Sequence, residues 1–189
     1  MRLFFLSSQK KEYDKFFRVI EKRRSCRRFT GEPIGEEAVA NIMRAALMSP
    51  SGHRINPWEF ILVEDKDTLK ALSVCKAAGA QLIEGAAMAV VVIADTTKSD
   101  VWIEDCSITT ILMQLAAEEM GLGSCWVQIR LRSDVEGNMA DANVKSLLDI
   151  PQHYSVLSIV AIGHKERESR PFDDDKMQWE KLHIGKYNG

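Results

Sequence analysis

The spacing of apolar residues along the chain predicts several amphipathic helices. The clearest begins near Glu36 and ends near Met48, because apolar residues recur there at positions i, i+3, i+4, i+7 and i+8. These residues are Val39, Ile42, Met43, Ala46 and Leu47. Shorter or weaker helical patterns are predicted for residues 13–21, 67–73, 77–84 and 135–148, and for the residues around Trp179.

Four segments dense in aromatic and β-branched residues predict strands. They are residues 58–64, 88–94, 124–129 and 155–163. Residues 88–94 are apolar without alternation, which is typical of a strand covered on both faces. Strands interleaved with helices in this way predict an α+β fold built as a three-layer sandwich.

The longest helical pattern, residues 102–120, is apolar around most of its circumference. Ile108, Ile111 and Leu115 recur at helical spacing, and the intervening positions leave little polar surface. Such a helix lies either at the centre of a monomer's own core or in a subunit interface. Periodicity alone is compatible with both.

Length and charge narrow the class of protein. The 189 residues predict one domain at residues 13–189, preceded by an extension at residues 1–12. A formal net charge of -2 disfavours a general nucleic-acid-binding protein. No apolar run approaches the ~20 residues needed to cross a bilayer. The four cysteines lack metal-site spacing and are predicted to be reduced thiols, so we expect a cytoplasmic protein.

The strongest chemical signal is a basic run at residues 22–28, with five Lys or Arg residues in seven positions. Arginine presents a planar fork of donors suited to phosphate oxygens, and the Ser25 hydroxyl can add a further donor. The alternative is a solvated basic turn at the end of a helix, where cations suit the negative end of the dipole. Charge alone supports both interpretations equally.

A second candidate segment is the polar loop at residues 49–57, which contains Pro50 and Pro57. Polar loops carry functional sites more often than cores do. The chain has no P-loop, Rossmann, H-E-x-x-H or G-x-S-x-G motif, and its histidines are too scattered for a local metal site. Because no side chain stands out as a nucleophile or an acid–base pair, the sequence favours a cofactor enzyme, in which the protein supplies binding and electrostatics.

Four segments in order resemble the nitroreductase family of FMN-dependent, NAD(P)H-using oxidoreductases. They are R-R-S-C-R-R-F at 23–29, S-P-S-G-H-R-I-N-P-W at 49–58, G-L-G-S-C-W at 121–126, and A-I-G at 161–163 followed by Arg170-Pro171. Each segment alone is a weak signal, whereas four in order over most of the chain are specific. The resemblance implies an α/β/α sandwich with a mainly antiparallel central sheet. It also implies an intertwined homodimer with FMN at its interface.

The resemblance implies roles for particular residues. From one subunit, the FMN contacts would come from Arg23, Arg24, Ser25, Arg27, Cys125, Trp126, Arg167 and Arg170. From the other subunit, they would come from Pro50, Ser51, Gly52, Arg54 and Asn56. Arg27 would act as a fixed cation that stabilises negative charge on the ring during reduction. No catalytic side chain and no metal are implied.

The activity implied by the resemblance is hydride transfer from NADH or NADPH, through FMN, to a small conjugated acceptor such as a nitroaromatic or a quinone. Two substrates that take turns at one ring imply a ping-pong cycle. Alternatives are a dehalogenating relative and a flavin-binding sensor or storage protein without turnover. Arg54 and Asn56 depart from the usual Asn and Gln, and Gln128-Ile129-Arg130 lacks a frequent glycine, so the hydrogen bonds to the ring are left unassigned.

Overall fold

The computed structural model describes residues 15–187, with a four-stranded antiparallel sheet at the centre. The strands are β1 (Trp58–Val63), β2 (Met88–Asp95), β3 (Gly123–Gln128) and β4 (Tyr154–Gly163). Their order is β1-β2-β4-β3, so β1 and β3 are the edges. Every residue of β2 is buried, which confirms the predicted strand covered on both faces.

Within the described residues the α-helices are α1 (Lys15–Lys22), α2 (Glu36–Leu47), α3 (Lys66–Ser73), α4 (Trp102–Glu119) and α5 (Ala140–Leu147). Short 3₁₀ turns occur at Gly52–Arg54, Gln81–Ile83, Asp174–Lys176 and Trp179–Lys181. The predicted extension at residues 1–12 lies outside the described residues. None of the described helices combines the length and apolar character that a bilayer crossing requires.

Two apolar cores lie on the two faces of the sheet. On one face Val91 and Val127 pack with residues of α3 and α5. On the other face Val90 and Val160 pack with residues of α2 and α4. Successive side chains of a strand point to opposite faces, which explains the division. A sheet between two helical layers confirms the predicted α+β three-layer sandwich.

The α-helix predicted at residues 77–84 is wrong. Only Gln81–Ile83 forms a 3₁₀ turn there. Gly79 has a φ of 79°, and the Ala77 amide donates to the Ser133 carbonyl rather than within its own segment. A left-handed glycine and a non-local hydrogen bond interrupt the local pattern.

The helix predicted at residues 135–148 begins later than the sequence suggests, at Ala140. The Asp134 carboxylate accepts hydrogen bonds from the amides of Glu136 and Asn138 and so forms a turn first. The helix predicted around Trp179 is likewise only a 3₁₀ turn.

Candidate functional site

The segment at residues 23–29 lies beside the outer edge of β3. Ser25 and Ser124 form a parallel bridge, and the Cys26 amide donates to the Ser124 carbonyl at 2.9 Å. A Cβ on Gly123 would lie 2.7 Å from the Cys26 side chain, so this close approach requires glycine. The basic run therefore begins at the last residue of α1, Lys22, and continues as a segment that pairs with the edge of the sheet at Ser25.

Among the described residues, the arginine side chains of this segment have no acidic partners. Within residues 15–187, no carboxylate lies within salt-bridge distance of Arg23, Arg24 or Arg27. The Arg24 guanidinium donates to the Arg23 carbonyl at 2.7 Å and lies over the Phe172 ring, 5.3 Å from its centroid. Several unneutralised guanidinium groups on one extended segment suit an anionic ligand, as the phosphate interpretation requires.

The C-terminal segment returns to the basic run. Lys165 bridges to Phe29, and the Phe172 amide donates to the Glu21 carbonyl at 2.7 Å. Ser169 lines a small crevice together with Lys22 and Arg24. This course brings the chain around Arg167 and Arg170 back toward Arg24; both of these arginines are exposed.

Cys125 lies where the basic segment meets β3. Burial raises the pKa of its thiol, while the Arg27 charge and a hydrogen bond with Ser25 oppose that rise. The thiol is therefore held protonated and packs instead of reacting. By alternation Cys125 shares the face of Val127, on the side of the sheet opposite α4. The structure thus brings Ser25, Arg27 and Cys125 together.

Trp126 has a different placement from Cys125. Its indole packs with the core on the α4 side, and its Nε1 donates to the Gln128 side chain at 2.9 Å. The Trp126 ring therefore lies on the other face of the sheet, and its backbone is the part that lies at the β3 edge.

The outer edge of β3 remains partly open beyond Ser124. Because the Ser124 carbonyl points to Cys26, the backbone groups of Trp126 and Gln128 point the same way. The Gln128 carbonyl accepts from the Lys76 ammonium at 2.9 Å, which agrees with this direction. The outward-pointing amides of Trp126 and Gln128, together with the nearby Arg27 guanidinium, can donate hydrogen bonds to a planar acceptor that lies along the edge of β3.

The second predicted segment lies at the first turn of α4. The Gly52 amide donates to the Asp105 carboxylate at 2.8 Å. The Ser51 hydroxyl bonds both the amide and the side chain of Asn56, at 2.9 and 2.7 Å. Arg54 is exposed and has a left-handed backbone, with a φ of 58°. Pro50 is exposed at the start of the same loop.

Within one chain, the two predicted halves of the site lie at opposite ends of α4. The loop at residues 51–56 is held at Asp105, whereas the basic run meets the helix end at Glu118, which pairs with Lys165. Thirteen residues of helix at 1.5 Å each separate these points by about 20 Å. In the described part of the chain, no hydrogen bond or ion pair joins the two segments.

Sequence patterns alone missed several residues that hold these segments. Asp105 and Glu118 are buried acids on α4, and Lys76 is a buried cation beside β3. Glu118, not Glu119, lies on the buried side of the helix. A charged residue inside an otherwise apolar helical face was the available signal, because such a residue is buried only when it has partners.

The family comparison covers most of the chain. The model of the nitroreductase family matches residues 20–90 and 74–164. A protein of Archaeoglobus fulgidus assigned as an NADH dehydrogenase/NAD(P)H nitroreductase is 33% identical over 175 residues. That match spans 90% of this chain and 97% of the archaeal protein.

A solved structure has the same fold throughout. The FMN-dependent nitroreductase from Clostridium difficile R20291 superposes with a TM-score of 0.88 at 39% identity, over 89% of this chain and 98% of that one. An iodotyrosine deiodinase of Nematostella vectensis is similar over a shorter stretch, with 36% identity over 63 residues. These are 33% of this chain and 24% of the deiodinase.

Proposed function

Because the chain belongs to the nitroreductase family, we propose that it is an FMN-dependent oxidoreductase. It takes a hydride from NADH or NADPH and delivers electrons to a small conjugated acceptor such as a nitroaromatic or a quinone. The observation that carries this proposal is the set of arginines Arg23, Arg24 and Arg27 beside the edge of β3, which have no carboxylate partner among residues 15–187.

The charge and the donor groups of these residues suit FMN. FMN ends in a phosphate, and unpaired guanidinium groups are suited to bind its oxygens in pairs. Arg23, Arg24 and Ser25 would hold the phosphate and ribityl chain, with Arg167 or Arg170 reaching it from the returning C-terminal segment. Bound there, FMN supplies the hydride and electron transfer.

Arg27 and the β3 edge would act on the ring. The Arg27 guanidinium, close to Cys125, would stabilise negative charge at the pyrimidine edge without any need to reorganise. The outward amides of Trp126 and Gln128 are the candidate donors to N5. The Lys76 ammonium, bonded to the Gln128 carbonyl, would hold that part of the edge in place.

The complete site is proposed to need two copies of the chain. The loop with Pro50, Ser51, Gly52, Arg54 and Asn56 lies about 20 Å along α4 from the phosphate end of the basic run. A partner subunit can bring its own copy of the loop to the ring. The outward face of α4 supports this arrangement, since Ile108 and Ile111 are 40% and 38% exposed and Leu115 lies between them and the helix end. We therefore propose a homodimer with two shared sites.

Donor and acceptor would use the same space over the ring in turn, which gives a ping-pong cycle. A dehalogenating relative is less favoured. Such relatives usually add a lid segment over the pocket. The loop after β2 is short, and a hydrogen bond from the Lys98 amide to the Asp95 carbonyl closes it as a turn, so this loop does not form a lid.

The experiment that tests the proposal is the visible spectrum of the purified protein, followed by anaerobic addition of NADH and then NADPH. A bound yellow chromophore that either donor bleaches is the expected result. A bound chromophore that neither donor reduces would instead favour a flavin-binding sensor or storage protein. A colourless protein that takes up no added FMN would overturn both.

A further inference from the structure

Asp105 is a buried carboxylate whose hydrogen bonds lead away from its own helix. Its side chain is on the first turn of α4, and the residue is only 3% exposed. It accepts from the Gly52 amide at 2.8 Å and from the Ser99 hydroxyl at 3.4 Å. Burial of a carboxylate costs free energy unless it is hydrogen-bonded. The fold is therefore stable only when the Gly52 amide and the Ser99 hydroxyl stay close to Asp105.

The loop that Asp105 holds has an unusual backbone. His53, Arg54 and Asn56 have φ values of 52°, 58° and 51°, a left-handed conformation that costs energy for residues other than glycine. Gly52 has no space for a side chain, because a Cβ there would lie 2.8 Å from the Val101 Cγ2. Such a conformation persists only where surrounding contacts impose it.

Among residues 15–187, the bond from Gly52 to Asp105 is the long-range side-chain hydrogen bond that attaches this loop to the rest of the fold. The Ser51–Asn56 bonds close the loop on itself but do not attach it to the rest of the fold. Attachment to α4 places the loop at a set distance from the opposite end of the helix, where the basic run lies. The helix thereby sets the distance between two half-sites of one chain, and each of these contributes to a different FMN site of the proposed dimer.

We propose that Asp105 is a positioning residue that holds its own loop, residues 51–56, in the shape that completes the FMN site of the partner subunit. This inference rests on the proposed function and adds a residue that does not itself touch FMN. Asp105 thus acts across the dimer, on the site whose arginines belong to the other copy.

The test compares Asp105→Leu with Asp105→Asn by FMN titration of the purified apo-protein. The leucine removes the acceptor for the Gly52 amide and should weaken FMN binding about tenfold or more. The asparagine keeps a side-chain oxygen there and should stay within about threefold of wild type.

Asp141→Leu is the matched control. Asp141 also lies in the first turn of a helix and accepts a backbone amide, that of Val156 at 2.6 Å, on the opposite side of the sheet. This variant should lower the thermal midpoint but leave the FMN dissociation constant unchanged. Equal FMN affinity in Asp105→Leu and wild type would overturn the proposal, and so would equal losses in Asp105→Leu and Asp141→Leu.

A mixed dimer separates action across the interface from action within one chain. One differently tagged copy carries Asp105→Leu and the other carries Arg23→Ala. If each site combines arginines of one copy with the loop of the other, one of the two sites contains neither substitution. We expect one FMN per mixed dimer with wild-type affinity, whereas sites built within single chains would leave none.

A second substitution covers the case in which Asp105→Leu fails to fold. Gly52→Ala should weaken FMN binding because of its clash with Val101, and Val101→Ala added to it should restore binding. No loss in Gly52→Ala would contradict the role of the loop. Wild-type protein that binds no FMN at all would instead reject the proposed function itself, so the two failures are distinguishable.

Discussion

The ammonium nitrogen of Lys165 lies 2.9 Å from Oε1 of Glu118, and the two side chains are only 10% and 5% exposed. The pair joins the end of α4 to the segment after β4, where the Lys165 backbone bridges to Phe29. Burial lowers the pKa of Lys165, but the hydrogen bonds and charges of Glu118 and Glu168 together outweigh it, so that the pKa is raised. This ion pair therefore holds the arginine segment against the sheet.

We expect Lys165→Met to destabilise the fold strongly. It leaves the Glu118 carboxylate buried without its partner, which should lower the free energy of unfolding by about 3–5 kcal/mol. The double variant Lys165→Met/Glu118→Leu should recover most of that loss, because no unpaired charge remains. Urea unfolding measures both. Glu168→Gln, which removes the exposed partner of Lys165, is the control and should cost less than about 1 kcal/mol. Equal instability of the single and double variants would contradict this account.

Arg23 and Arg27 should have separable effects on FMN. Arg23→Ala removes the proposed phosphate contact and should weaken FMN binding about tenfold or more. Arg27→Ala should retain most of the binding but make the two-electron potential of bound FMN more negative by about 30 mV, equivalent to about 1.4 kcal/mol. FMN titration and a redox titration measure these. Arg28→Ala, with the same loss of charge at a neighbouring exposed position, is the control. If all three variants had the same FMN affinity and the same potential, the roles assigned to Arg23 and Arg27 would be refuted.

The outward face of α4 should be required for dimer formation. Ile111→Glu places a charge in the proposed interface, where it would lose its hydration, and should yield monomers that no longer retain FMN. Light scattering after gel filtration and FMN titration measure the two effects. Val135→Glu is the control, because Val135 is 85% exposed and follows Asp134, which bonds to Asn143 of α5 on the side of the sheet opposite α4. A dimeric Ile111→Glu protein with normal FMN affinity would argue against the shared site.

Arg54 should favour anionic acceptors. Its guanidinium is exposed and, within residues 15–187, has no carboxylate within salt-bridge distance. An exposed ion pair is worth up to about 1 kcal/mol, so Arg54→Asn should raise the KM for 4-nitrobenzoate up to about fivefold. The KM for uncharged 4-nitrobenzyl alcohol should not change. An equal change for both acceptors would show that Arg54 does not bind substrate charge.

Stability at low pH should depend on Asp95. The side-chain hydrogen bond from Thr97, at 2.6 Å, lowers the pKa of Asp95 to about 2. Since the unfolded carboxyl titrates near ~3.9, its stabilising effect is present above that pH and is lost as the pH falls toward 2. Thr97→Val should therefore be less stable than wild type at pH 7, and this difference should narrow below about pH 4. Urea unfolding across the pH series measures it, and a constant difference would contradict the prediction.

The sequence by itself determined the features that depend on local periodicity and residue type. The uninterrupted apolar run of β2 indicated a central strand, because a strand buried on both faces needs apolar residues at every position. The repeat from Val39 to Leu47 indicated α2, because a helix buried on one face needs apolar residues at a spacing of three to four. The basic run indicated either an anion site or a solvated basic turn, and charge alone did not distinguish the two. Where a turn competed with the helical pattern, as at Gly79 and Asp134, local periodicity was not sufficient.

Only the tertiary structure decided how these segments meet. Pairing of Ser25 with Ser124 depends on residues about a hundred positions apart, and no local pattern encodes that partner. The same is true of Gly52 with Asp105 and of Lys165 with Glu118. Non-local contacts are chosen by the packing of the whole chain. For that reason the placement of the arginine segment and of the 51–56 loop at opposite ends of α4 became evident only in the folded protein.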